Sequence, residues 1–163
     1  GQSSRGLGDV YKRQIRDIIP DVSLSTDIIV GFPGETDDDF QDTMNIVKYV
    51  EFDSVYMFQF SPRPGTKAYD MEDEFVNQDI IKKRFQHLKD VQTDISEKRL
   101  KRYVGTKQLL LIEKPSKKNN RVLTGKIDSG QITHIDKKNV SIGDIVQVKI
   151  TDSTPFYLKA ELI

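Results

Sequence analysis

The stretch Thr26-Asp27-Ile28-Ile29-Val30-Gly31-Phe32-Pro33-Gly34-Glu35-Thr36 constrains the fold more than any other part of the chain. A β-branched run stops at a Gly-Phe-Pro-Gly turn and gives way to an acidic helix start, so a strand must lead into a helix here. Ile28, Ile29 and Val30 are short and continuously apolar, the pattern of a parallel strand buried on both faces. Gly31 and Gly34 admit positive φ and let backbone approach a ligand, and Pro33 biases Phe32 away from helix. Thr36 is placed to cap the next helix, with Asp39 at capping-box spacing and Asp37 and Asp38 at the positive end of the dipole.

Phe40, Met44 and Val47 then fall at i, i+4 and i+7, which predicts a helix over Asp37–Val50 with one apolar stripe. Residues 54–60, Ser-Val-Tyr-Met-Phe-Gln-Phe, read as a second strand and end in the rigid loop Ser61-Pro62-Arg63-Pro64-Gly65-Thr66. A βαβ unit places both loops at the carboxyl ends of parallel strands, the face where such proteins bind ligands. Taken alone, a Gly-Phe-Pro-Gly turn is also consistent with a simple tight connection.

The pattern changes twice further on. Residues 77–103 carry Ile80, Ile81, Phe85, Leu88, Val91, Ile95 and Leu100 at helical spacing, which predicts a long amphipathic connecting helix capped by Asn77. From Gly105 onward the chain reads as five short strands, over 107–113, 120–126, 130–135, 144–151 and 157–162, separated by turn residues. Five short strands in so few residues predict a small closed barrel related to the OB-fold.

Charge separates the regions. The 25 basic and 25 acidic residues cancel overall, but between Lys98 and Lys126 Glu113 is the only acidic residue among many Lys and Arg. A surface for a polyanion is the expected consequence. No apolar run reaches membrane-spanning length, which makes a cytoplasmic location the default. The chain has no cysteine, and His87 and His134 lack metal-ligand spacing, so each is read as solvated or locally hydrogen-bonded.

Asp-Ile-Ile-Val-Gly-Phe-Pro-Gly-Glu-Thr at 27–36, followed after one helix by Phe-Gln-Phe-Ser-Pro-Arg-Pro-Gly-Thr at 58–66, resembles the last two strands of the radical S-adenosylmethionine (SAM) barrel of the methylthiotransferases. The form of the second loop is most similar to the MiaB-type tRNA enzymes, which methylthiolate isopentenyladenosine beside the anticodon. Val104-Gly105-Thr106, Leu123-Thr124-Gly125-Lys126 and the run from Ile142 to Ile150 resemble a TRAM domain. The resemblance implies an organisation of α/β plus all-β type. It comprises a leader of adapter-derived appearance over 1–14, the end of a partial parallel radical SAM barrel over 15–76, a linking helix over 77–103 and an OB-like TRAM β-barrel over 104–163.

The same resemblance implies SAM as cofactor, held near Asp27, Ile29, Gly31, Gly34, Phe58 and Gln59. Ile29 would pack on the adenine, Phe58 and Gln59 would offer backbone hydrogen bonds, and the glycine turn would leave space. Ser61 and Arg63 would face the substrate, although a salt bridge from Arg63 to the acidic helix start is an equal structural reading. Glu35 is read as either a helix-end residue or a support for the pocket. Lys107, Lys117, Lys118, Arg121 and Lys126 would hold tRNA, with no DNA and no membrane partner. The family's 4Fe-4S clusters need thiolate ligands, so this chain is expected to be the carboxy-terminal part of an enzyme, inactive alone, with no catalytic or metal-binding residue of its own. A methylthiotransferase for threonylcarbamoyl adenosine or a ribosomal-protein aspartate, and a stand-alone RNA-binding module, are the alternatives.

Overall fold

The computed structural model describes residues 14–163. The leader expected over 1–14 lies outside the described residues except for Gln14, which already opens a helical turn over 14–18. The strand, turn and helix expected next are all present: β1 (Ser25–Val30), α1 (Asp37–Val50) and β2 (Ser54–Gln59). β1 and β2 pair in parallel, from Ser25 opposite Ser54 to Val30 opposite Gln59.

Local chemistry explains the helix ends. Thr36 Oγ1 accepts from the Asp39 amide at 3.1 Å while the Asp39 carboxylate accepts from the Thr36 amide at 3.0 Å, a complete capping box. At the other end Glu51 takes a left-handed φ of 49°. The Arg16 guanidinium donates to the carbonyls of Val50 and Glu51, covering acceptors that a helix leaves without intrahelical donors.

β1 is not buried on both faces. Val30 is buried and Ile28 half-buried, but Ile29 is 51% exposed. The reason lies in the sheet: it has two strands, and helices cover only the side carrying Ile28, Val30, Val55 and Met57. Because strand side chains alternate, Asp27, Ile29, Tyr56 and Phe58 share the opposite, open face.

The helix expected as a connector, α2 (Gln78–Leu100), is also a wall of this core. Asn77 caps it, its Oδ1 accepting from the Asp79 amide at 2.8 Å. Ile81 and Leu88 are fully buried with Val30, Met44 and Val47, and Phe85, Val91 and Ile95 pack against that cluster. Ile80 sits one position off the stripe and is exposed. Gln92 Nε2 donates to the Phe52 carbonyl at 2.9 Å, fixing α2 to the loop before β2.

Two compact units divide between Ile95 and Ser96, inside α2. In the second, β3 (Lys107–Pro115), β4 (Val122–Ile127), β5 (Ile132–Asp136), β6 (Ile145–Ser153) and β7 (Leu158–Leu162) form a closed barrel in the order β3-β4-β5-β7-β6. β5 and β7 pair in parallel, while every other pairing in the barrel is antiparallel. Leu110, Ile112, Leu123, Ile135, Val148, Ile150 and Leu158 fill the interior, joined by Leu100 and Tyr103. Gly125 is demanded by close approach: a β-carbon there would lie 1.9 Å from the Leu111 carbonyl oxygen.

Candidate ligand face and nucleic-acid groove

In the first unit the open sheet face brings together Asp27, Ile29 and Phe58, with Ile29 opposite Phe58 in the ladder and Tyr56 opposite Asp27. Phe58 is 53% exposed, so the face offers apolar surface to a flat ligand. Past the strand ends, Phe32, Phe60 and Phe75 meet edge to face, each successive pair of ring centroids 5.6 Å apart. All three aromatic side chains of this cluster come from connecting segments outside the strands and helices, and sequence reasoning did not assemble them.

The glycine turn is built differently from expectation. Gly31 has a φ of +77°, and a β-carbon added there would sit 2.3 Å from Ile81 Cγ1. The space that glycine opens on its side-chain side is therefore taken by α2, not left for a cofactor. Gly34, at a φ of +80°, donates its amide to the Glu74 carbonyl at 2.8 Å. Its backbone is thereby tied to the segment before α2.

Glu35 holds this turn. Its Oε1 accepts from the Gly31 amide at 3.1 Å and from Arg84 Nη1 at 2.7 Å. Arg84 also donates to the Glu35 carbonyl at 3.1 Å and, through Nη2, to Asp37 Oδ1 at 2.6 Å. The guanidinium that meets the acidic helix start is thus Arg84 from α2, which corrects the reading that gave this salt bridge to Arg63. Of the two uses considered for Glu35, support for the turn is the one its bonds serve.

Arg63 and Ser61 are exposed, and the Arg63 guanidinium makes no ion pair with a described residue. The loop around them is nonetheless fixed. Thr66 Oγ1 donates to the Arg63 carbonyl at 2.8 Å and accepts from the Tyr69 amide at 3.3 Å. Gln59 is exposed at the end of β2.

In the barrel the five basic residues expected to act together do not form one cluster. Lys117, Lys118 and Arg121 lie in the β3–β4 hairpin, but Lys107 begins β3, roughly 26 Å along a nine-residue strand from that hairpin. Lys126 lies between the extremes, opposite Ile132 on β5. All five side chains are exposed. Sequential clustering of Lys and Arg did not translate into spatial clustering because a strand carries its ends apart.

A groove of about 820 Å³ on the outside of the barrel gathers a different set. One wall is the hairpin, with Lys114, Lys117 and Lys118. The floor is β4 and β5, with Thr124, Ile132 and His134, and the other wall is the β6–β7 turn, with Phe156, Tyr157 and Lys159 nearby. These are the strand pair and the two loops that OB-type barrels use to bind oligonucleotides. Phe156, Tyr157, His134, Lys114 and Lys159 were missed. The legible signal was Thr154-Pro155-Phe156-Tyr157, paired aromatics in a proline turn between barrel strands.

His134 accordingly is locally bonded. Its Nδ1 lies 2.9 Å from Thr124 Oγ1, and its ring meets Tyr157 at 4.6 Å and 70°. Burial, with a smaller contribution from Lys159, pushes its pKa below the ordinary histidine value. The unfolded chain therefore takes up this proton first, so the stability His134 contributes is present above about pH 6.5 and declines as pH falls through the folded pKa. Thermal melts of the wild-type chain should lose stability over that acid range, and His134→Gln should flatten this part of the profile. An unchanged profile would show that His134 is not the titrating group.

Residues 101–163 match the TRAM domain. Over 151 residues, 91% of its length, the chain is 40% identical to the tRNA-2-methylthio-N(6)-dimethylallyladenosine synthase of Corynebacterium jeikeium, and it covers 29% of that protein. Identity to the Geobacillus kaustophilus protein of the same name is 42% over 93% of this chain and 28% of the relative. For that of Francisella philomiragia it is 41%, over 93% of this chain and 34% of the relative. Relatives over most of the chain are thus tRNA methylthiotransferases, and the chain spans about a third of their length. The second unit is a TRAM domain.

Proposed function

We propose that the chain serves a tRNA-2-methylthio-N6-dimethylallyladenosine synthase as its SAM-facing strands and its tRNA-holding barrel. The observation that carries this reading is that identity of about 40% runs through both units and is not confined to the TRAM domain. A stand-alone RNA-binding module has no need of the Gly31 turn or the Ser61-to-Thr66 loop.

SAM suits the residues present. The open face carries Ile29 and Phe58 beside the carboxylate of Asp27, apolar surface for an adenine with a hydrogen-bond acceptor next to it. When bound with a cluster, SAM would supply the radical. The chain's own contribution is to seat the adenine, while Gly31 and Gly34 shape the turn and Ser61 and Arg63 present donors toward substrate. Iron-sulfur clusters do not suit this chain, which has no thiolate to ligate them, and among the described residues no His, Cys, Asp or Glu group could hold a metal. Among the described residues no helix is long and apolar enough to cross a membrane.

A chimera tests the reading. Joined behind the preceding segment of the Geobacillus kaustophilus relative, the chain should restore the methylthio group to tRNA in cells lacking the enzyme, read by nucleoside mass. Arg63→Ala should lower that yield while leaving SAM binding by the chimera intact. A chimera that folds and binds SAM but never modifies tRNA would overturn the assignment.

A further inference from the structure

The barrel groove combines a cationic rim with aromatic rings, and the two call for different parts of a nucleic acid. Lys114, Lys117, Lys118 and Lys159 stand around it against Asp136 and Glu161, so the balance favours an anion. Lysines alone would serve a duplex or a single strand equally well, because phosphates occur in both.

The rings decide between them. Phe156 is 66% exposed, a large apolar side chain left in water. Its backbone is fixed: Thr154 Oγ1 accepts from the amides of Phe156 at 3.2 Å and Tyr157 at 3.1 Å. The Thr154 amide donates to the Tyr157 carbonyl at 2.9 Å, closing the turn. Pro155 stiffens it further by fixing its own φ. Tyr157 is braced from below by the His134 ring, which Thr124 holds in turn. The turn backbone and the Tyr157 ring are therefore organised before any ligand arrives, which lowers the entropic cost of stacking there.

From this geometry we infer that the groove seats an unpaired base of single-stranded RNA on the Phe156–Tyr157 wall, with the flanking phosphates on Lys117 and Lys118. The inference rests on the RNA-holding role proposed for the barrel and specifies the form of RNA: a loop or an unpaired end, whose bases are free to stack, instead of a helix, whose bases are occupied. Stacking is tolerant of base identity, so no sequence preference follows from it.

The chain contains no tryptophan, which makes a direct readout available. Phe156→Trp in the full chain places a single indole on the proposed wall. Titration with a single-stranded 12-mer of ribo-adenosine should quench its emission, and a duplex of the same length should bind weaker and leave the emission near its starting level. In the otherwise unaltered chain Phe156→Ala should weaken single-strand binding by about 5- to 150-fold without altering the salt slope. The pair Lys117→Ala and Lys118→Ala should instead lower the log–log salt slope by about 1.4, at roughly 0.7 per phosphate contact on a single strand. Because Phe156 is exposed, its variants should melt with the parent.

Binding that depends on the lysines but ignores Phe156→Ala, with the indole unquenched at saturation, would overturn the stacking inference while leaving the RNA-holding role intact. Equal affinity for duplex and single strand would do the same. No binding of any RNA by the folded chain would overturn both.

Discussion

Gly31→Ala should destabilise the strand–helix unit by about 2–5 kcal/mol, much of the margin of a typical domain. Two costs combine. The φ of +77° disfavours any L side chain, and the new methyl would sit 2.3 Å from Ile81 Cγ1 and 2.5 Å from its Cδ1. Ile81 is fully buried against Val30, Met44 and Val47, so it has little room to withdraw. Denaturant unfolding checks the value. Adding Ile81→Ala should relieve the contact but not the dihedral cost, so the double variant should be more stable than the sum of the single losses implies. A Gly31→Ala chain that unfolds with the parent would mean the turn has another shape. Any loss of SAM binding in Gly31 variants should therefore track loss of fold, and at equal folded fraction the binding deficit should vanish.

Arg84→Met should cost about 3–5 kcal/mol, because it strands the Glu35 carboxylate in a site where the two side chains are only 8% and 11% exposed. Asp37, the other partner, is 95% exposed, and its arm of the network should contribute little after solvent screening. The large term is thus the Glu35 arm. Changing both residues, Arg84→Met with Glu35→Gln, should recover much of the loss, since no buried charge then lacks its counterion. Arg84→Lys should not substitute, because a single ammonium cannot reproduce the fork that reaches Nη1 to Glu35 and Nη2 to Asp37. Equilibrium unfolding of the four chains checks this, and an Arg84→Met variant within about 0.5 kcal/mol of the parent would contradict it.

Local pattern carried much of the architecture. The capping box at Thr36 and Asp39, the helix Asp37–Val50 and the five barrel strands were legible because each depends on neighbours within a few residues. The burial of β1 was not. A continuous apolar run predicts two covered faces only if both faces have something to cover them, and Ile29 and Phe58 lie on the uncovered side of a two-stranded sheet. The basic cluster misled for a related reason: Lys107 begins β3, while Lys117 lies in the hairpin past that strand's other end.

The sequence by itself determined which stretches form strands and helices, the turn chemistry of the loops and the resemblance carried by residues 27–36 and 58–66, because periodicity, capping and backbone preference act at short range. Only the tertiary structure decided which partners those elements meet. Arg84 reaches Glu35 across 49 positions, Ile81 fills the space beside Gly31, and Phe156 faces Lys117 across a groove made by three separate segments. Such contacts arise when the apolar stripe of α2 and the closure of the barrel bury themselves, and burial is governed by what is near in space whatever its distance along the chain.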